Sequence, residues 1–198
     1  DEAQIVQVLL PAVGQPERVY LAVGAGTITD ITRFASHRMG RPFISLPTAP
    51  SVDAYTSLNA PLVIRRLKET VNAQAPLAVF ANLETLCRAP RAMVAAGFGD
   101  MVGKYTCLAD WRLGHLLWDE PYDAAVAAEA RAALEDVAAQ ADAIGALQPQ
   151  AVAVLMGALC ASGLAMVRVG NSSPASASEH HLSHFWEGKL LQEGRPAL

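Results

Sequence analysis

Short apolar runs cut by Gly and Pro turns occupy the chain up to about Asn82. Val19–Val23 (VYLAV) stops at Gly24, and Pro42–Leu46 (PFISL) stops at Pro47. A third run, LAVFA, lies within Ala75–Ala81, and Thr29–Met39 reads as a helix between the first two. Apolar runs this short, bounded by turn residues, predict buried strands. Strands alternating with helices predict a parallel α/β sheet. From about Arg91 the pattern becomes helical almost throughout. Ala124–Ile144 is Ala-rich with spaced acids, an apolar helix follows Pro149, and a last helix spans about Ser178 to Leu191. The expected architecture is α/β, a Rossmann-like part over 1–90 followed by an all-helical part over 91–198, with the change between 85 and 95.

The apolar helix calls for a membrane test. No charge occurs from Ala143 to Val167, yet Gln148, Pro149 and Gln150 interrupt the run and Arg168 closes it. A spanning helix needs about 20 apolar residues, so a buried helix in a bundle is the expected form, with no membrane partner. The composition fits a packed core: 52% of the 198 residues are hydrophobic and 17% charged, which excludes wholesale disorder. Fifteen basic against 19 acidic residues give a net charge of −4, which argues against nucleic acid as a partner. Cys87, Cys107 and Cys160 form no C-x-x-C pair and fit a reducing, cytoplasmic setting. Asp1 is preceded by no Met and followed by no charged-then-apolar leader.

Four stretches carry candidate chemistry. Gly24-Ala25-Gly26-Thr27-Ile28-Thr29-Asp30 follows a strand and opens a helix. Glycines admit close backbone approach and a helix N-terminus favours anions, so this is either a phosphate cradle or a plain tight turn. Thr48-Ala49-Pro50-Ser51-Val52-Asp53 follows the second strand, where open α/β sheets bind ligands; an ordinary Pro-containing loop is the alternative. In Gly97–Lys104, Asp100 and Lys104 are four apart and share a helical face, as a surface ion pair also would. In Ser178-Glu179-His180-His181-Leu182-Ser183-His184, His180 and His184 share a face, as metal-binding imidazoles do. His181 points elsewhere and reads as structural. A polar, partly buried helix end is the other reading.

In their order GAGTITD, PFISLPTAPSVDAYTS, AGFGDMVGKYTCLADWRL and GNSSPASASEHHLSHFWE, these stretches resemble the sn-glycerol-1-phosphate dehydrogenases. Those belong with glycerol dehydrogenases, iron-containing alcohol dehydrogenases and 3-dehydroquinate synthases. LADWRL, WDE and SEHHLSHFWE are closest to the bacterial branch. The resemblance implies NAD(P)H and a divalent metal, nickel or zinc, reducing dihydroxyacetone phosphate to sn-glycerol 1-phosphate, a glycerolipid precursor. It implies that Gly26, Thr27, Ile28, Thr29 and Asp30 hold the dinucleotide pyrophosphate. Thr48, Ala49, Pro50 and Ser51, with Ser57, make further cofactor contacts. Asp53 contacts substrate, Asp100 binds both metal and substrate, His180 binds metal, and His184 contacts substrate and is a candidate proton relay. Lys104, by charge and position, is a candidate partner for the substrate phosphate. A cytoplasmic homodimer is the implied assembly.

The chain also departs from that pattern. It resembles an internal piece of a longer enzyme, holding two of three expected metal ligands, so the piece alone is expected to be inactive or badly impaired. Ser173 stands where relatives usually carry Arg, and Ala177 where they usually carry Gly. The first change would weaken phosphate recognition, and the second would shift the start of the His-bearing helix. The alternatives are a glycerol or polyol dehydrogenase on the same scaffold, a noncatalytic dinucleotide-binding remnant and, third, a dehydroquinate synthase.

Overall fold

The computed structural model describes residues 2–12, 17–65 and 67–195. Three parallel strands form a sheet in the order β1 (Tyr20–Gly24), β2 (Phe43–Pro47), β5 (Ala78–Val79). Tyr20 is in register with Phe43, and Ser45 with Val79. The crossover from β1 to β2 is α2 (Gly26–Arg38), which begins three residues before the expected Thr29. In β2, Phe43, Ser45 and Pro47 are buried in alternation. β1 was expected to be buried throughout; instead Leu21 and Val23 are 59% and 60% exposed, because α2 covers only the face carrying Ala22.

The sequence pattern gave no sign of two features. Helix α1 (Glu2–Leu9) packs Ile5 against Ile31, Ala60 and Leu62. An antiparallel hairpin, β3 (Asn59–Ile64) with β4 (Leu67–Asn72), stands between the second and third sheet strands. Its second strand, LKETVN, carries two charges and few apolar residues, so no buried-strand pattern marks it. A 3-10 turn, Asp53–Thr56, links β2 to this hairpin.

The helical half begins after α3 (Leu83–Cys87) with α4 (Arg91–Trp118), followed by α5 (Ala124–Ala139), α6 (Ala141–Gly145), α7 (Pro149–Val169) and α8 (Ser178–Gln192). The single helix expected over Ala124–Ile144 breaks at Gln140. Among the described residues, α7 is long and apolar enough to cross a membrane; here it packs against α4, α5 and the 3-10 turn. Pro at its first position and Gly170 at φ +80° set its ends. The core joins Leu134, Val137, Leu155 and Leu159 to Val94 and Met101, with Ala49 of the loop after β2. Another cluster joins Tyr55 to Leu86, Val152 and Met156. Packing is therefore continuous across residues 85–95.

Candidate active site

The loop after β2 is clamped between two helices at glycines. A Cβ on Gly97 of α4 would lie 1.9 Å from the Pro50 carbonyl oxygen, and one on Gly163 of α7 would lie 2.5 Å from the Asp53 carbonyl oxygen. Only a hydrogen side chain allows either approach. Arg33 of α2 secures the same segment from the sheet side. Its buried guanidinium donates to Asp30 Oδ1 (2.8 Å), to the Asn59 carbonyl (2.8 Å) and to the Ala54 carbonyl. Tyr55 Oη donates to the Ala49 carbonyl at 2.5 Å, and Thr56 Oγ1 to the Cys160 carbonyl at 2.8 Å.

This clamp fixes Asp53 beside Asp100. The Asp53 N–H donates to Asp100 Oδ2 at 2.8 Å. Lys104, 1% exposed, donates to Asp53 Oδ2 (2.8 Å), Asp100 Oδ1 (2.8 Å) and the Ala175 carbonyl (2.7 Å). Ser162 Oγ adds a bond to Asp53 Oδ2 at 2.9 Å. Burial alone would lower the Lys104 pKa, but the two carboxylates outweigh it and raise it well above the lysine range. Burial and the Asp53 charge push the Asp100 carboxyl up against the pull of Lys104.

His180 completes the group. Its Nε2 lies 3.9 Å from Asp100 Oδ1, and its Nδ1 lies 2.9 Å from Glu179 Oε1. Glu179 thus engages Nδ1, and Nε2 is the ring nitrogen turned toward Asp100. His184 stands one turn on, its ring centroid 6.1 Å from that of His180, and its Nδ1 meets Glu187 Oε2 at 3.1 Å. Lys68 of β4 reaches the same Glu187 oxygen at 2.6 Å. Burial works to raise the Glu187 carboxyl, but Lys68 and His184 outweigh it and hold it below the usual range.

Two adjoining cavities run past these groups. One, about 410 Å³, meets the start of α2 at Gly26 and Thr27, and also touches Asp30 and Ser51. Helix α2 has no side-chain cap, so its first N–H groups are available to a ligand there. The other, about 530 Å³, is lined by Asp53, Ser57, Asp100, Glu179, His180 and His184. Ser51, Val52, Ala54, Pro61 and Lys68 line both, so they form one crevice. A third cavity of about 540 Å³, lined by Leu77, Leu86, Met156 and Leu164 among others, shares no residue with it.

Of the residues singled out in the sequence, Gly26, Thr27, Asp30, Ser51, Ser57, Asp53, Asp100, His180 and His184 line the crevice. Ile28, Thr29, Thr48, Ala49 and Pro50 do not; Thr29 Oγ1 bonds the Ala25 carbonyl, and the Thr48 N–H bonds the Gly24 carbonyl. Asp30 is engaged with Arg33, and burial pushes its carboxyl up to about 7 despite that partner. Lys104 does not line the crevice, and all three of its N–H groups are taken, so it has no donor left for a phosphate. Ala177 is not among the positive-φ residues and its N–H donates to Glu179 Oε1 at 3.1 Å, so the start of α8 at Ser178 does not call for a glycine there. Sequence reasoning missed Ser162, Lys68 and the orienting role of Glu179. Of these only Glu179, next to His180, had a local signal.

Asp100 and His180 fit as two donors of a divalent-metal set, one carboxylate oxygen and one imidazole nitrogen facing each other. No group of three or more such side chains is assembled among the described residues. The uncapped start of α2 over an open cavity fits a dinucleotide pyrophosphate.

Residues 2–90 match the family model described as iron-containing alcohol dehydrogenase. The chain is 53% identical over 193 residues to a glycerol-1-phosphate dehydrogenase [NAD(P)+] of Geobacillus stearothermophilus, covering 98% of this chain and 48% of that protein. It is 40% identical over 178 residues to the Pyrococcus abyssi protein of the same name, covering 90% of this chain and 51% of that one. The chain thus spans about half the length of the curated relatives it matches. Among solved structures, a probable glycerol dehydrogenase from Sinorhizobium meliloti superimposes with a TM-score of 0.79 at 19% identity, covering 92% of this chain and 54% of that one. That likeness concerns the fold. By the family match and these identities, the chain is similar to the iron-containing alcohol dehydrogenases over residues 2–90 and to the glycerol-1-phosphate dehydrogenases over most of its own length.

Proposed function

We propose that this chain carries the cofactor cradle and substrate end of an NAD(P)H-dependent reductase that converts dihydroxyacetone phosphate to sn-glycerol 1-phosphate. The observation that carries this is one crevice joining the uncapped start of α2 to the facing pair Asp100 and His180. On this reading residues 1–90 serve the dinucleotide and residues 91–198 serve metal and substrate. The 53% identity to a glycerol-1-phosphate dehydrogenase supports the substrate.

Gly26 and Thr27 bind the pyrophosphate through backbone N–H groups, and Ser51 and Ser57 line the path toward the substrate. Bound on Asp100 and His180, a divalent ion such as nickel or zinc supplies Lewis acidity to the substrate carbonyl, and NAD(P)H supplies the hydride. Asp53, held by Lys104 and Ser162, presents a fixed acceptor to a substrate hydroxyl. His184, 41% exposed beside the crevice, hands a proton from solvent to the oxygen that becomes the new hydroxyl. A cytoplasmic homodimer completes the proposal.

The test follows NAD(P)H absorbance with dihydroxyacetone phosphate, in the protein that carries this chain, before and after chelation and with nickel or zinc restored. Metal-dependent oxidation, abolished in Asp100→Ala and His180→Ala, is expected. Turnover of glycerol alone would instead favour the polyol dehydrogenase, the reading suggested by Ser173, whose N–H only closes a turn onto Asn171.

A further inference from the structure

The crevice is acidic. Asp30, Asp53, Asp100, Glu179 and Glu187 all line it, and a phosphate dianion entering such a site is repelled unless a cation receives it. Lys104 cannot do so, because its three N–H groups are spent on Asp53, Asp100 and Ala175. Among the described residues that line either cavity, Lys68 is the only Lys or Arg, and it lines both. It projects from β4, and its side chain is 26% exposed. Its ammonium rests on Glu187 Oε2 at 2.6 Å, the oxygen that His184 Nδ1 also meets at 3.1 Å. From His184 the contacts continue to His180 and Asp100. Lys68 therefore sits at the far end of a short row of side chains that begins at the candidate metal donors.

We propose that Lys68 is the specificity-determining cation of the site. It leaves Glu187 to receive the phosphate group of a phosphorylated substrate whose carbonyl end lies toward Asp100 and His180. This deepens the proposed function and rests on it for the substrate's carbonyl end. The physical basis is exchange of one anion for another. Lys68 is charge-compensated by a carboxylate when no ligand is present, and a dianionic phosphate replaces that carboxylate on a cation already desolvated on one side. Glu187 then remains with His184. Because the pair joins hairpin to α8, ligand phosphate also takes over the link between the two halves of the crevice.

The phosphate on Lys68 could be that of substrate or that of the dinucleotide, so binding is measured separately for inorganic phosphate, dihydroxyacetone phosphate and NADH. Calorimetry is run on the wild type, Lys68→Gln, Lys68→Arg and Glu187→Gln. Lys68→Gln is expected to weaken inorganic phosphate and dihydroxyacetone phosphate at least tenfold and to leave NADH within twofold. Lys68→Arg should restore most of the loss, and Glu187→Gln, which frees the cation, should tighten phosphate severalfold. Circular dichroism of each variant checks that the fold is intact. A loss confined to NADH would move Lys68 to the dinucleotide and overturn the assignment. Unchanged phosphate binding in Lys68→Gln, or no phosphate binding by the wild type, would overturn it too. Inorganic phosphate binding does not depend on turnover. Phosphate binding through Lys68 without reduction of dihydroxyacetone phosphate would sink the proposed reaction and leave this inference standing.

Discussion

At the scale of single residues, Lys104 decides how the acidic centre can exist. Two carboxylates and one ammonium are buried together, with Ser162 and two backbone groups completing their bonds. Removing one partner of such a buried set costs about 3–5 kcal/mol, since the remaining charges lose their counter-ion. Lys104→Met is expected to lose about that much in urea unfolding at pH 7. The Lys104 pKa is raised on folding, so its contribution is full below the ordinary lysine value and is lost as pH rises through the folded value. The gap between wild type and Lys104→Met should therefore hold to about pH 10.4 and narrow only above it. The thiols respond first to burial, alone at Cys160 and with nearby charges at Cys107. Cys107 is pushed up to about 12 and Cys160 to about 11. Iodoacetamide at pH 8 should leave both unmodified by mass spectrometry, with Cys160 reacting as pH approaches 11.

At the scale of elements, the site depends on how closely two helices approach one loop. Gly97 and Gly163 touch the backbone of the segment 50–53, whereas Gly157, also in α7, has open space around its absent Cβ. Gly97→Ala and Gly163→Ala are each expected to cost about 1–3 kcal/mol, as overpacking does. Gly157→Ala should be neutral or stabilise by about 0.5–1 kcal/mol through helix propensity. Thermal or urea unfolding of the three variants separates close approach from mere helix content. The apolar pattern announced β1, β2 and the helices α2, α4, α5 and α7, because each buries enough surface to print its period on the sequence. It did not announce the hairpin Asn59–Asn72, which buries few side chains and owes its place to Arg33, Asn59 and contacts with α2.

At the scale of the whole molecule, the two halves share a core. Tyr55 of the α/β half packs with Val152 and Met156 of the helical half. Unfolding in urea should accordingly be one transition, coincident by far-UV circular dichroism and by fluorescence of Trp111, Trp118 and Trp186. NADH at a hundredfold excess over its Kd should raise the stability by about 2.7 kcal/mol without splitting that transition. Two transitions would show that residues 85–95 separate independent units.

The sequence by itself determined the alternation of strand and helix, the helical second half and the glycine-opened start of α2, whereas Asp100 and His180 were paired as candidate donors only through a family resemblance. The first three are local properties: apolar period and turn residues are written in neighbouring positions. Tertiary structure alone decided which charges are spent and which are free. Lys104 looked like a ligand-binding cation because it lies one helical turn from Asp100, yet Asp53 and Ala175, far away in the chain, consume its remaining donors. Lys68 carried no signal in the sequence, yet the fold brings it into the crevice beside Glu187. Whether a charged side chain is a strut or an open hand depends on partners tens of residues distant, and those are brought together only when burial of the shared core closes the chain.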